Sequence, residues 1–416
     1  MILLTSDLHL ADASERPTFP TSFFFERLES IIESTIDSSN GKPVERITLV
    51  LLGDIFEILK SQSWLKSTIR PWDTSTSNHV DTVEAILSSI VAANSVFFES
   101  LNDLKEKYPF LNLEYVPGNH DRPINTEMGV KARALLRKKV PFEQAGDAPF
   151  QLTLTIPSHK LIAKHGHQWD PNNRYDEIGK SSVAFGDAIV IDLILKLPDL
   201  LRASLNTGTN VDSFLEYVSE LDNVRPHSLR VIAQWLNNGR EQILKNDNKA
   251  NRALDEVVTE LVKHLKEMAN NVAFESFALN TRRRKTVAWL LMREITVRGF
   301  LKVGHRVPWG ESEAGSERDF ALEDFNRAGD NYTYLVSGHT HAPMVVPIDI
   351  GDSLPRTYIN TGTWRRIRPV SRSVKENNPL QPFACWEEGC IAVVRSADEQ
   401  KQLHLPAFEL YRFTRG

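Results

Sequence analysis

Ile47-Thr48-Leu49-Val50-Leu51-Leu52 is an unbroken run of apolar and β-branched residues that stops at Gly53-Asp54. A strand without a polar face must be covered on both sides, so the chain has to build a layered sheet. Ile2–Ser6 and Leu111–Val116 read as further buried strands, and Phe150–Ile156 with Lys160–Lys164 reads as an antiparallel pair around Pro157-Ser158. Between them, Ser22–Ile36, Val80–Lys107 and Thr126–Lys138 carry apolar residues at helical spacing. Alternating strands and helices point to an α/β fold.

The pattern changes after about Tyr175. Helical stripes dominate: Phe214, Val218 and Leu221; then Leu254, Val257, Leu261 and Leu265; then Val287, Leu290, Leu291 and Ile295. Strands return at Tyr332–Val336, Thr357–Asn360, Ile391–Val394 and Glu409–Phe413. The expected organisation is one α/β domain, residues 1–175 and 331–416, interrupted by a helical insertion, 176–330, large enough for its own core. The basic run Arg282-Arg283-Arg284-Lys285 reads as a solvated helix start.

Composition narrows the function classes. Hydrophobic residues make up 41% and charged residues 25%, which excludes a disordered chain. A net charge of -5 argues against a surface that grips nucleic acid throughout, although a local basic groove stays open. The two cysteines, Cys385 and Cys390, are too few for a four-cysteine zinc site and read as ordinary thiols of a reducing compartment. Met1-Ile2-Leu3-Leu4 is too short for a signal-peptide core. Asp187, Asp192, Lys196 and Pro198 break the apolar stretch Val183 to Leu201, so no membrane-spanning segment is expected. A cytoplasmic location follows as the expectation, with peripheral membrane contact left open.

Five polar clusters each follow a predicted strand: Asp7-Leu8-His9, Gly53-Asp54, Gly118-Asn119-His120-Asp121, His165-Gly166-His167 and Gly338-His339-Thr340-His341. Ligand sites in open α/β sheets lie beyond the carboxyl ends of strands, so the five can converge. Singly, each histidine reads as a capping or surface residue. Together they hold six of the 12 histidines, which random placement does not explain. Asp, His and Asn without a thiolate suit Mn²⁺, Fe or Zn²⁺. Gly53, Gly118 and Gly338 are expected to let the backbone turn beside the site. Two carboxylates at strand ends, Asp7 and Asp54, would repel each other without a cation.

In order, these blocks resemble the calcineurin-like metallophosphoesterase superfamily. The resemblance spans Asp7 to His341 but not the helical insertion. It implies a two-sheet αββα sandwich and a centre of two divalent metal ions, manganese first, with iron or zinc as alternatives. Carried over, Asp7, His9 and His341 would hold one metal, and Asn119, His165 and His339 the other. Asp54 would bridge both. His120 would act on substrate, with Asp121 orienting its ring, and His167 would lie behind the ligands or touch substrate. The implied reaction is hydrolysis of a phosphoester or pyrophosphate by in-line attack of a hydroxide held between the metals.

Within the superfamily, Gly53-Asp54-Ile55-Phe56-Glu57 and Asp7-Leu8-His9-Leu10 also resemble the UDP-2,3-diacylglucosamine hydrolase branch, whose lid is inserted at the same relative place. That branch typically has Arg where His120 stands. DNA-repair nucleases fit Gly-Asn-His-Asp better. Protein serine/threonine phosphatases typically carry Gly-Asp-x-Val-Asp-Arg-Gly, absent here. A non-catalytic scaffold on the same fold is a further alternative. The expected substrate is a phosphorylated small molecule or lipid-linked nucleotide. Arg122, Arg174, Arg365 and Arg366 are candidates for its phosphate, because the guanidinium fork matches phosphate geometry. Trp169, Asp170 and Trp364 are candidates for the cleft wall.

Overall fold

Along β1 (Ile2–Thr5) and β2 (Ile47–Leu52) every residue is buried, as a strand covered on both faces requires. A computed structural model describes residues 1–14, 19–39, 41–72, 77–144, 146–170, 173–174, 184–205, 209–225, 229–245, 247–269, 314–348, 356–369 and 385–415. The basic run at 282–285 and the helical stripe at 287–295 lie outside the described residues.

Two mixed sheets organise the chain. The first holds β1, β2, β3 (Leu111–Val116), β6 (Val224–Arg225), β10 (Arg365–Pro369), β11 (Trp386–Val394) and β12 (Phe408–Arg415). In it, β1, β2 and β3 run parallel in sequence-adjacent order, and β11 pairs antiparallel with β1. The second has the order β4 (Thr153–Ile156), β5 (Leu161–Lys164), β7 (Tyr334–Ser337), β9 (Arg356–Asn360), β8 (Met344–Ile348). Here β5, β7 and β9 are parallel, and β4 and β8 are antiparallel edges.

Strand alternation sorts the side chains into layers. Ile2, Leu4, Val50, Leu52 and Val116 pack against Leu161, Ala163, Val336 and Ile359 of the other sheet. Their neighbours Leu3, Leu49, Leu51 and Leu113 face outward onto Phe24, Leu28, Ile86, Leu87 and Phe97 of helices. On the far side, Ile162, Leu335 and Tyr358 pack under Ala321 and Phe325 of the helix Ala314–Ala328. The order is therefore helix, sheet, sheet, helix. Ala314–Ala328 falls inside the segment expected as insertion, yet it covers the second sheet.

Val80–Lys107, expected as one helix, is two: Ser77–Ala93 and Ser95–Lys107, bent by 73°. At the bend the Asn94 side-chain amide donates to the carbonyls of Ile90 and Ala11, both at 2.8 Å. Among the described residues no single helix is long and apolar enough to cross a membrane. This bent pair is apolar enough, but it spends Ile86, Leu87, Ile90, Phe97 and Leu101 on the core.

The described part of the insertion has its own core, in which Leu197, Leu201, Phe214, Val218, Trp235, Leu254 and Leu261 meet. It is fastened to the sandwich by buried ion pairs. Arg122 pairs with Asp187, Arg365 with Asp222, and Arg70 with Asp192 at 3.4 Å. Asp187 and Asp192, which interrupt the apolar stretch in sequence, are thus the anchors of a buried helix. Arg122 is 2% exposed and Asp187 fully buried. Arg122→Ala leaves that carboxylate buried without its cation and is expected to cost about 3 kcal/mol. Urea denaturation followed by fluorescence measures this, and Asp187→Leu added to Arg122→Met should restore most of the loss.

Candidate metal centre

All five polar clusters leave parallel strands, β1, β2 and β3 in one sheet and β5 and β7 in the other, at their carboxyl ends. Main-chain bonds stitch the loops together. Asp7 N–H donates to the Gly53 carbonyl and His9 N–H to the Asp54 carbonyl, both at 2.9 Å. Gly338 N–H donates to the His165 carbonyl at 2.9 Å, which ties the two loops of the second sheet. His339 N–H donates to Asp7 Oδ2 at 3.0 Å and so joins the sheets.

Ligand atoms of Asp7, His9 and His341 converge within 4.8 Å of one another, as do those of Asp54, His165 and His339. In the first group, Asp7 Oδ1 lies 3.0 Å from His341 Nε2, and His9 Nε2 lies 3.1 Å from the same nitrogen. In the second, Asp54 Oδ2 lies 3.1 Å from His165 Nε2. His165 Nδ1 donates to the Leu52 carbonyl at 3.0 Å, which fixes Nε2 as the inward nitrogen.

Asp54 Oδ1 accepts from His120 N–H at 2.8 Å. Asn119 Oδ1 is buried and accepts no hydrogen bond from the described residues. A buried amide oxygen left without a donor is costly unless a cation or an ordered water takes it.

The backbone carries a second sign. Asp7 (φ 56°), His9 (49°), Asp54 (50°), His339 (73°) and His341 (58°) all stand in the left-handed region. Non-glycine residues held there persist when the surroundings over-determine them, commonly at ligand clamps. Gly53 itself has φ 81°, and an added Cβ would stand 2.3 Å from His165 Nδ1. Gly118 keeps an ordinary φ; its role is room, since a Cβ there would lie 2.1 Å from Asp54 Oδ1. The expected sharp turn therefore belongs to Gly53, whereas Gly118 permits close approach.

Electrostatics follow the same plan. Burial disfavours charge on Asp7, but the imidazoles of His165 and His341 outweigh it and hold the carboxyl well below the usual range. Asp54 is likewise held low against its burial by His165 and His120. Burial would lower His120, yet Glu57 and Asp54 push it up to about 9. Burial pushes Asp121 up to about 6, with Asp54 adding to the effect.

Several sequence expectations need correction. Asp121 does not orient His120. It accepts from the backbone N–H groups of Phe56 (2.8 Å) and Gly118 (3.0 Å) and braces two loops. The carboxylate on His120 Nδ1 is Glu57, which also takes His9 Nδ1 at 2.6 Å. Arg122 and Arg365, expected at substrate phosphate, are buried in the anchors of the insertion. Trp364 is a core residue that donates to the Cys390 carbonyl, and Trp169 donates to Asp324. Asp170 does reach the centre, 3.2 Å from His339 Nε2. His167 is buried with its ring 5.5 Å from that of His165, behind the ligands. Arg174 is exposed.

Glu57 stands outside the residues expected from sequence, and its place three residues after Asp54 is the signal that points to it. The segment Asn360-Thr361-Gly362-Thr363 braces the site. Thr363 Oγ1 donates to the Asp7 carbonyl at 2.8 Å, and the Asn360 amide donates to the Gly338 carbonyl at 2.8 Å.

The donor set fits divalent cations. It offers two carboxylates, an orphan amide oxygen and imidazoles, with no thiolate. The chain matches no protein-family model and no curated protein.

Proposed function

We propose that the chain is a metal-dependent phosphoesterase with a binuclear centre, built on the plan of the calcineurin-like metallophosphoesterases. The observation that carries this reading is the presence of two ligand groups, Asp7/His9/His341 and Asp54/His165/His339; Asn119, whose buried side-chain oxygen accepts no hydrogen bond from the described residues, directly precedes His120, whose N–H donates to Asp54. Asp7, His9 and His341 would hold one cation; Asn119, His165 and His339 would hold a second, with Asp54 serving both. Divalent cations bound there would supply Lewis-acid polarisation and neutralise charge developing on a phosphoryl group. Manganese is the first candidate, with iron and zinc compatible with the same donors.

The remaining work falls to the chain. Glu57 takes His120 Nδ1, which leaves Nε2 to hold a phosphoryl oxygen or to give a proton to the leaving oxygen. The two metal groups flank it: His120 donates its backbone N–H to Asp54, and its ring lies 5.0 Å from that of His9. The substrate class is a phosphoester or pyrophosphate of a small molecule or lipid-linked nucleotide in the cytoplasm.

The test is metal binding joined to a substrate panel. Chelated protein given Mn²⁺ should bind two ions per chain. Its unfolding free energy should rise by about 4 kcal/mol for each site filled at roughly a thousand times the dissociation constant. The panel comprises p-nitrophenyl phosphate, its bis-ester, UDP-sugars with and without acyl chains, and oligonucleotides. Absence of a melting shift with Mn²⁺, Fe²⁺ and Zn²⁺ alike would sink the reading.

A further inference from the structure

A buried chain of charges runs from the insertion to the catalytic histidine. Arg365 pairs with Asp222, whose other oxygen lies 2.6 Å from Lys60 Nζ. Lys60 Nζ donates to Glu57 Oε2 at 2.9 Å. That same oxygen takes His9 Nδ1, while Glu57 Oε1 takes His120 Nδ1. Lys60 is 4% exposed and Glu57 2%, so solvent does not dilute these contacts.

We infer that Lys60 and Asp222 are positioning residues: through Glu57 they set the rings of His120 and His9, so the helical insertion completes the centre. The inference rests on the phosphoesterase reading for its kinetic part. The terminal torsion of a glutamate is broad, and a carboxylate gripped by imidazoles at both oxygens can still rock. The ammonium of Lys60 fixes Oε2 from a third direction. Lys60 in turn is fixed from behind, because Asp222 sits in the turn Glu220–Asn223 that leads into β6, and β6 is paired with β10. Asp222 is one fastening among several: Arg122–Asp187, Arg70–Asp192 and Arg368–Glu220 also hold the insertion, and Arg365 keeps Asn223 Oδ1 at 3.1 Å when the Asp222 charge is removed. Its role at Lys60 can therefore be separated from folding.

The experiment uses the full chain with Lys60→Met and Asp222→Asn. Three quantities are measured: Mn²⁺ per chain, kcat and KM on p-nitrophenyl phosphate, and the histidine ¹⁵N spectrum of the metal-free protein. Expected are two ions per chain, KM within about twofold, kcat lowered about 10–100-fold, and displaced Nδ1 resonances of His9 and His120. Should Lys60→Met fail to fold, Asp222→Asn carries the same comparison. Unchanged Nδ1 resonances in a folded variant overturn the inference, as does unchanged kcat against an active parent. An inactive parent would instead count against the phosphoesterase reading, while the histidine spectrum would still decide whether Lys60 and Asp222 set the rings.

Discussion

Asp54→Asn is expected to lower turnover about a thousandfold and to reduce bound metal below two ions per chain. The substitution keeps the shape and one acceptor oxygen, so the bond from His120 N–H at 2.8 Å can survive. What disappears is the negative charge and the second ligand oxygen beside His165. Charge stabilisation by a bound cation contributes several kcal/mol to phosphoryl transfer, and about 4 kcal/mol corresponds to that factor. The site has no slack for compensation, because Gly118 stands where a Cβ would touch Asp54. Elemental analysis and kcat on the same preparation check both halves. A variant holding two ions with kcat within tenfold of the parent would remove Asp54 from the centre.

His120→Ala separates chemistry from metal binding. His120 belongs to neither of the two groups that gather around Asp7 and Asp54; it forms a third cluster with His9 and Glu57, in which Glu57 takes its Nδ1. Two ions per chain should remain. Turnover should fall about 10²–10⁴-fold, the range for loss of a positioned proton donor. The loss should be steepest on alkyl esters, whose leaving oxygen needs the proton, and shallowest on p-nitrophenyl esters. Equal activity per bound metal in the variant and the parent would contradict the role.

The parts of this molecule legible in its sequence were those written in local periodicity. Ile47–Leu52 and Ile2–Thr5 announce their burial because each face must be apolar. Clusters at the ends of such strands follow from topology, which is how Asp7, His9, Asp54, His165, His339 and His341 could be brought together on paper. Other strands hide. Met344–Ile348 is half-exposed and contains Pro347, and Arg365–Pro369 is largely basic, so neither reads as a strand. Long-range pairing hides too. Nothing near Arg122 or Arg365 says that the partner is a carboxylate 65 or 143 residues away, so an arginine next to a motif passes for a phosphate contact. The resemblance implies that Asp121 orients His120, but the two side chains go to different neighbours, Asp121 to the N–H groups of Phe56 and Gly118 and His120 to Glu57.

The left-handed residues of the centre bear on what could be cut away from this protein. Each of the five costs about 1 kcal/mol when nothing enforces it, a total comparable to the whole folding margin of a small domain. A peptide carrying Gly338-His339-Thr340-His341, or one isolated sheet, would relax to ordinary backbone angles and lose the ligand geometry. Excised fragments and transplanted loops should thus be poor chelators; the clasp exists because two finished sheets hold its hinges open.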